Sequence, residues 1–274
     1  MTILGANEGD TVARKLFRFR GVERVVGTVR QPSAIDLAEL AVKGYFHKLL
    51  GITDATQGGP IPPPSCDYWT AAKTALGTML LNNELGDCIC AEDLHLSAMR
   101  AANAGTVWVP SDAEALTLYQ IVGGYVPGNS ATDQGCDPMA LVRYRLANPY
   151  PDGAKLLDAR LVDATSDVAL KQAIWLATGA FAWASLPAEW ESEEGAGDVW
   201  DVAGDPVPSN GHAFGLVCYD DYVQVTTWGE QVKLTLPAAA KYLTPSAGGG
   251  VLALIDSRCT QQAVLDALDA EAAS

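Results

Sequence analysis

Asn82-Asn83-Glu84-Leu85-Gly86-Asp87-Cys88 runs straight into an alanine- and leucine-rich stretch, and Gly211-His212-Ala213 heads an apolar run far downstream. A cysteine on the first turn of a helix feels the positive end of the helix dipole, which favours thiolate over thiol. A histidine delivered by a distant strand can then hold that thiolate as an ion pair, making a nucleophile at neutral pH. The chain has only three histidines, so few pairings compete with this one.

Outward from Cys88, the spacing predicts a long helix over 88–104, with Cys88, Ala91, Leu94 or His95, and Ala98 sharing roughly one face. Asp87 stands where its N-cap belongs. His95 lies two turns beyond Cys88, about 10 Å along the axis, and is expected to satisfy a core hydrogen bond. Cys90 belongs to the opposite face as a structural residue. Further helices are expected over 68–81, 113–125, 138–146 and 167–177, the last capped from 165–167 and stopped by Gly179. Beyond it the texture turns to strands, at 180–185, 211–219, 222–227, 230–236 and 249–256. A helical first half followed by a strand-rich second half predicts an α+β fold.

Upstream, residues 13–30 alternate enough to predict a short strand pair turning near Gly21 or Gly27, and Ser33 is placed to cap a helix over 34–50 that Gly51 stops. The run Gln57-Gly-Gly-Pro-Ile-Pro-Pro-Pro-Ser65 reads as a stiff extended linker. It divides the chain into an arm and linker (1–65), a main domain (66–257) and a C-terminal helical segment (258–274). The formal charge is −15, yet residues 1–50 carry eight Lys/Arg against five Asp/Glu, with six of those bases between Arg14 and Arg30. Overall acidity argues against nucleic acid. The basic stretch reads as a solvated face, or as an arm docking on an acidic surface of a neighbouring copy.

The first residues lack a basic n-region and an apolar h-region, so no secretory signal is expected, and no segment has the length and apolarity of a membrane span. The expected location is the cytoplasm or a virion. Six cysteines are too few for a disulfide scaffold in 274 residues, and Cys88-x-Cys90 has no second ligand pair, so neither a metal nor any other cofactor is expected. No phosphate- or dinucleotide-binding glycine signature is present.

In this order the residues resemble the papain-like cysteine protease fold, over about residues 66–257. Asn82 stands six before Cys88, where that family places its oxyanion-hole glutamine. His212-Ala-Phe-Gly-Leu-Val-Cys-Tyr219 is similar to the family's histidine strand, and Trp228-Gly229 falls where the family has Asn-Ser-Trp-Gly. The Gly-Asp-Cys form looks closest to a bacterial and phage branch. The resemblance implies Cys88 as nucleophile, His212 as base, and Asn82 (with Asn83 competing) together with the Cys88 N–H as the oxyanion hole. It implies Thr226 at the orienting position in place of asparagine, Trp228 shielding the imidazole, and Gly86 and Asp87 beside the substrate. The departures are the asparagine for glutamine, the threonine for asparagine, and the lack of a recognisable pro-segment.

Two functions follow as expectations. One is a papain-like cysteine hydrolase, a peptidase or amidase acting on a peptide or protein substrate. The alternative is a weak or inactive papain-fold structural protein, such as a phage virion component, held in a homo- or hetero-oligomeric particle through residues 1–65.

Overall fold

Arg20 and Gly21 both have positive φ (48° and 73°), and this two-residue turn folds Lys15–Phe19 (β1) back on Val22–Val26 (β2) as an antiparallel hairpin. Phe17 and Phe19 share its buried face, while Leu16 and Arg18 point to solvent. The computed structural model describes residues 15–26, 29–33, 42–52, 59–191 and 199–273, together with Asp36 and Glu39. The expected helix over 34–50 lies partly outside these residues. The Ser33 hydroxyl accepts from Asp36 N, and Asp36, Glu39, Val42 and Lys43 are helical. Gly44 (φ 83°) then breaks the run, Tyr45 bridges to Leu161, and a single turn, Phe46–Leu49 (α1), follows before Gly51. Within the proline-rich run, residues 59–65 form no regular element.

After a two-residue strand, Cys66–Asp67 (β3), helix Trp69–Leu76 (α2) ends at Gly77 instead of continuing to Leu81. Leu80 and Leu81 are both left-handed (φ 53° and 67°), conformations that no helix accommodates. The turn they form delivers the chain to Cys88–Asn103 (α3). Asp112–Val122 (α4) carries a capping box between Ser111 and Glu114, and Pro138–Ala147 (α5) is capped by Asp137. Leu156–Leu161 (β4) comes next, then Asp167–Leu176 (α6), capped by Ser166, and Ala180–Pro187 (β5). The remaining elements are Val199–Trp200 (β6), Pro206–Tyr219 (β7), Val223–Thr227 (β8), Glu230–Leu234 (β9), Leu236–Tyr242 (α7), Gly250–Asp256 (β10) and Gln262–Ala272 (α8).

The sheet runs β4-β10-β5-β7-β8-β9-β6, antiparallel except where β6 meets β9, with β3 added to the end of β7. Helix α3 packs on α2 and on β7, in a core with α4 and α5. The opposite core joins α6 and α7 to Trp190, Trp200, Phe214 and Trp228, and to Phe17 and Phe19 of the hairpin. Strand β4 escapes sequence recognition because it places Asp158 and Arg160 in the interior, where they pair at 2.5 Å.

Candidate functional site

Cys88 is the first residue of α3, so its own N–H and that of Ile89 have no place in the helix hydrogen-bond ladder. The backbone N–H of Ala213 on β7 acts on the Cys88 thiol, favouring its charged form. The nucleophile candidate therefore sits beside the residue that follows His212. Both side chains are sealed, with Cys88 1% and His212 0% exposed. Burial raises the Cys88 thiol far above its ordinary value, overriding the Ala213 contact that lowers it, and pulls His212 down to about 3. In this closed arrangement the two are a neutral thiol and a neutral imidazole.

His212 Nε2 lies 2.6 Å from Thr227 Oγ1, while Nδ1 has no hydrogen-bond partner among the described residues. The imidazole stacks on Trp228 at 4.1 Å and 16°. Trp228 can cover it because Trp228 and Gly229 form the tight β8–β9 turn, with φ 48° and 72°. A Cβ on Gly229 would lie 2.9 Å from the Gly77 carbonyl oxygen, so only glycine closes this turn against the loop after α2.

The hydroxyl that meets the imidazole is thus Thr227's. Thr226, at the position suggested by the family pattern, is buried with Oγ1 unpartnered among the described residues. Its backbone pairs with Gly215, one register position nearer the end of β7. Thr227→Val is expected to destabilise the protein by about 1–3 kcal/mol, because it strands a buried imidazole nitrogen. Thr226→Val, which removes an unpaired hydroxyl, should cost little or be stabilising. Urea unfolding of the two variants checks the order, and equal losses would contradict the assignment.

Asn82 is buried on the turn leading to α3, with Oδ1 unpartnered among the described residues. The Gly86 N–H is committed to Asp133 Oδ1 at 2.9 Å. Asp87 occupies the N-cap position but makes no side-chain cap bond, contrary to the sequence expectation. Its ψ of 14° is far from the extended value that aims a cap side chain at the helix amides. Both carboxylate oxygens are buried without partners among the described residues, and burial holds the acid well above the usual carboxylate range, reinforced by Cys136 and Asp133. His95 does satisfy core hydrogen bonds. Its Nε2 is 3.1 Å from both Thr78 Oγ1 and Thr78 O, and its Nδ1 is 3.5 Å from Glu92 Oε2.

The described residues before the main domain pack on both the sheet side and the helical side of the molecule. Phe17 and Phe19 pack on Trp228, at 6.0 and 5.3 Å between ring centroids. Arg20 and Arg24 both reach Glu230 of β9, at 2.5 and 3.3 Å, so the basic hairpin docks on an acid of its own chain. The following residues bridge the two sides. The Arg30 N–H donates to Cys136 O and its guanidinium to Gly123 and Gly135 carbonyls on the helical side, while Gln31 Nε2 donates to Gly248 O on the sheet side. Sequence reading missed this cover, since nothing in an alternating basic strand pair specifies which surface it will meet.

The structure of xylellain, a cysteine protease from Xylella fastidiosa, superposes with a TM-score of 0.54 over 90% of this chain and 99% of that chain, at 13% identity. The fold is papain-like. The chain matches no protein-family model and no curated protein. Helix α3, which bears Cys88, packs on β7, which bears His212. Among the described residues no helix is long and apolar enough to cross a membrane, and no cluster of three or more His, Cys, Asp or Glu could hold a metal ion.

Proposed function

We propose that the chain is a papain-like cysteine hydrolase of amide bonds, held closed by its own residues 15–26 and 29–31. The observation that carries the reading is His212: Nε2 is bound to Thr227, Nδ1 is unpartnered among the described residues, the ring stacks on Trp228, and the next residue's N–H acts on the thiol of Cys88 at the head of α3. Once water enters, the desolvation that keeps both groups neutral is relieved, and the helix N-terminus favours a Cys88 thiolate beside a protonated His212. Cys88 Sγ then attacks a carbonyl carbon. The developing oxyanion is met by the Cys88 N–H and the Asn82 side-chain amide, and His212 returns the proton to the departing amine. Water hydrolyses the resulting thioester.

A second reading is favoured by the sealing itself. A buried Cys88 and a buried His212, with Phe17 and Phe19 packed on the Trp228 that covers the imidazole, also suit a papain-fold structural protein, such as a virion component, that keeps the pair as packing. A peptidyl epoxide separates the two. Hydrolase function predicts that, in protein whose hairpin has been loosened by mutation, the reagent modifies Cys88 far faster than Cys90, and that His212→Ala abolishes the difference. If Cys88 reacts no faster than Cys90, the hydrolase reading fails and the structural one stands.

A further inference from the structure

Cys90 lies two residues into α3 from Cys88, and Cys136 lies in the loop before α5; both are buried, and their sulfurs are 3.6 Å apart. A disulfide needs about 2.0 Å, so closing the gap asks for about 1.6 Å of sulfur movement. The surroundings hold the two thiols in register. Asp133 Oδ1 accepts from Gly86 N and from the Tyr119 hydroxyl, and the same hydroxyl accepts from Gly135 N. Loop 133–137 is thereby fastened to the segment that leads into α3. The Cys136 carbonyl in turn accepts from Arg30 N, in the segment that also reaches Gly248 through Gln31.

We propose that Cys90 and Cys136 are a disulfide-forming pair, oxidised by hydroperoxides, that locks the 133–137 loop to the head of α3. The reaction balances with hydrogen peroxide as oxidant. Cys136, between buried Gly135 and half-buried Asp137, is reached when the loop opens locally. Its sulfur attacks one peroxide oxygen, the O–O bond breaks, and Cys136 sulfenic acid and one water result. Cys90 sulfur then attacks the sulfenic sulfur, the S–O bond breaks, and a second water leaves with the Cys90 proton. Two thiol hydrogens and two electrons have passed to the peroxide. The pair is independent of whether Cys88 turns over substrate. Its expected consequence is that oxidation fixes the wall on which Arg30 rests.

The test uses the full chain. It is treated with hydrogen peroxide, alkylated under denaturing conditions and mapped by mass spectrometry without reduction. The expected product is lighter by two hydrogens, carries one cross-link joining the Cys90 and Cys136 peptides, and reverts with dithiothreitol. Its Tm should rise by about 5 °C or more, because a long loop is closed in the unfolded chain. Cys90→Ser and Cys136→Ser should each lose the cross-link and Cys66→Ser should keep it. The more exposed Cys66 and Cys259 separate proximity from accessibility. Cross-links to Cys88, Cys66 or Cys259, or recovery of Cys90 and Cys136 as alkylated thiols while other cysteines oxidise, overturn the proposal. If the serine variants fail to fold, the wild-type map decides alone.

Discussion

Replacing Phe17 and Phe19 together by alanine is expected to raise the rate of Cys88 alkylation by iodoacetamide about 100-fold or more at neutral pH. In the closed protein Cys88 can react only through a minor open state, because the thiol is sealed and held neutral by burial. The two rings supply the apolar face that holds the hairpin on Trp228. Truncating a buried phenylalanine typically costs about 3–5 kcal/mol. Even if only about 3 kcal/mol of the combined loss falls on the closed state, the open population grows about 100-fold, since each 1.4 kcal/mol is a factor of ten. The ion pairs of Arg20 and Arg24 with Glu230 are partly exposed and contribute little against that. Labelling followed by peptide mapping reads the rate at Cys88 and, as an internal control, at Cys90. An unchanged Cys88 rate, with circular dichroism showing a folded protein, would mean that the hairpin is not what closes the site.

The second large effect concerns acid. The unfolded chain protonates His212 near 6.5, whereas the folded protein resists until about 3. Between those values the unfolded state binds the extra proton, so stability is fully present above pH 6.5 and drains away as pH falls toward 3. The shift corresponds to roughly 5 kcal/mol across that window. Glu92 acts in the opposite direction. Burial lifts it to about 7 from an ordinary 4.5, so its contribution is present below 4.5 and is lost as pH rises through 7. The two oppose each other between 4.5 and 6.5, and a single stability curve would blur them. His212→Gln isolates the histidine. Relative to wild type, this variant should gain stability progressively below pH 6.5, as measured by urea unfolding at a series of pH values. Curves that stay parallel down to pH 4 would show that His212 titrates normally and is not sealed.

Much of the framework is legible in linear order because its signals are local. Gly51 and Gly179 stop their helices with positive φ, Ser166 and Asp137 cap theirs, and the alternation of residues 15–26 makes a hairpin wherever it lands. Failures occur where a local rule yields to a distant contact. The helix beginning near Trp69 stops early because Leu80 and Leu81 must turn the chain toward α3. Asp87 has the identity of a cap but not the backbone of one. Strand β4 hides behind an inward ion pair, and the run after Glu230 becomes α7 at Leu236 because Thr235 caps it. At the site, Thr227 and Thr226 have the same side chain in adjacent positions. Only the way β8 ends in the Trp228–Gly229 turn decides which hydroxyl reaches the imidazole.

The sequence by itself determined which chemical groups are available and the types of most elements. These include a cysteine at a helix start, a histidine in an apolar strand, a Trp-Gly turn and an α+β order of segments. Those properties follow from side-chain periodicity and backbone preference, which act over a few residues. Only the tertiary structure decided that Phe17 and Phe19 cover Trp228, that Arg30 and Gln31 tie the helical side to the sheet side, and that Cys90 faces Cys136. Each of these contacts joins segments dozens to hundreds of residues apart. Their closeness is set by how the two cores pack, and no local pattern encodes that distance.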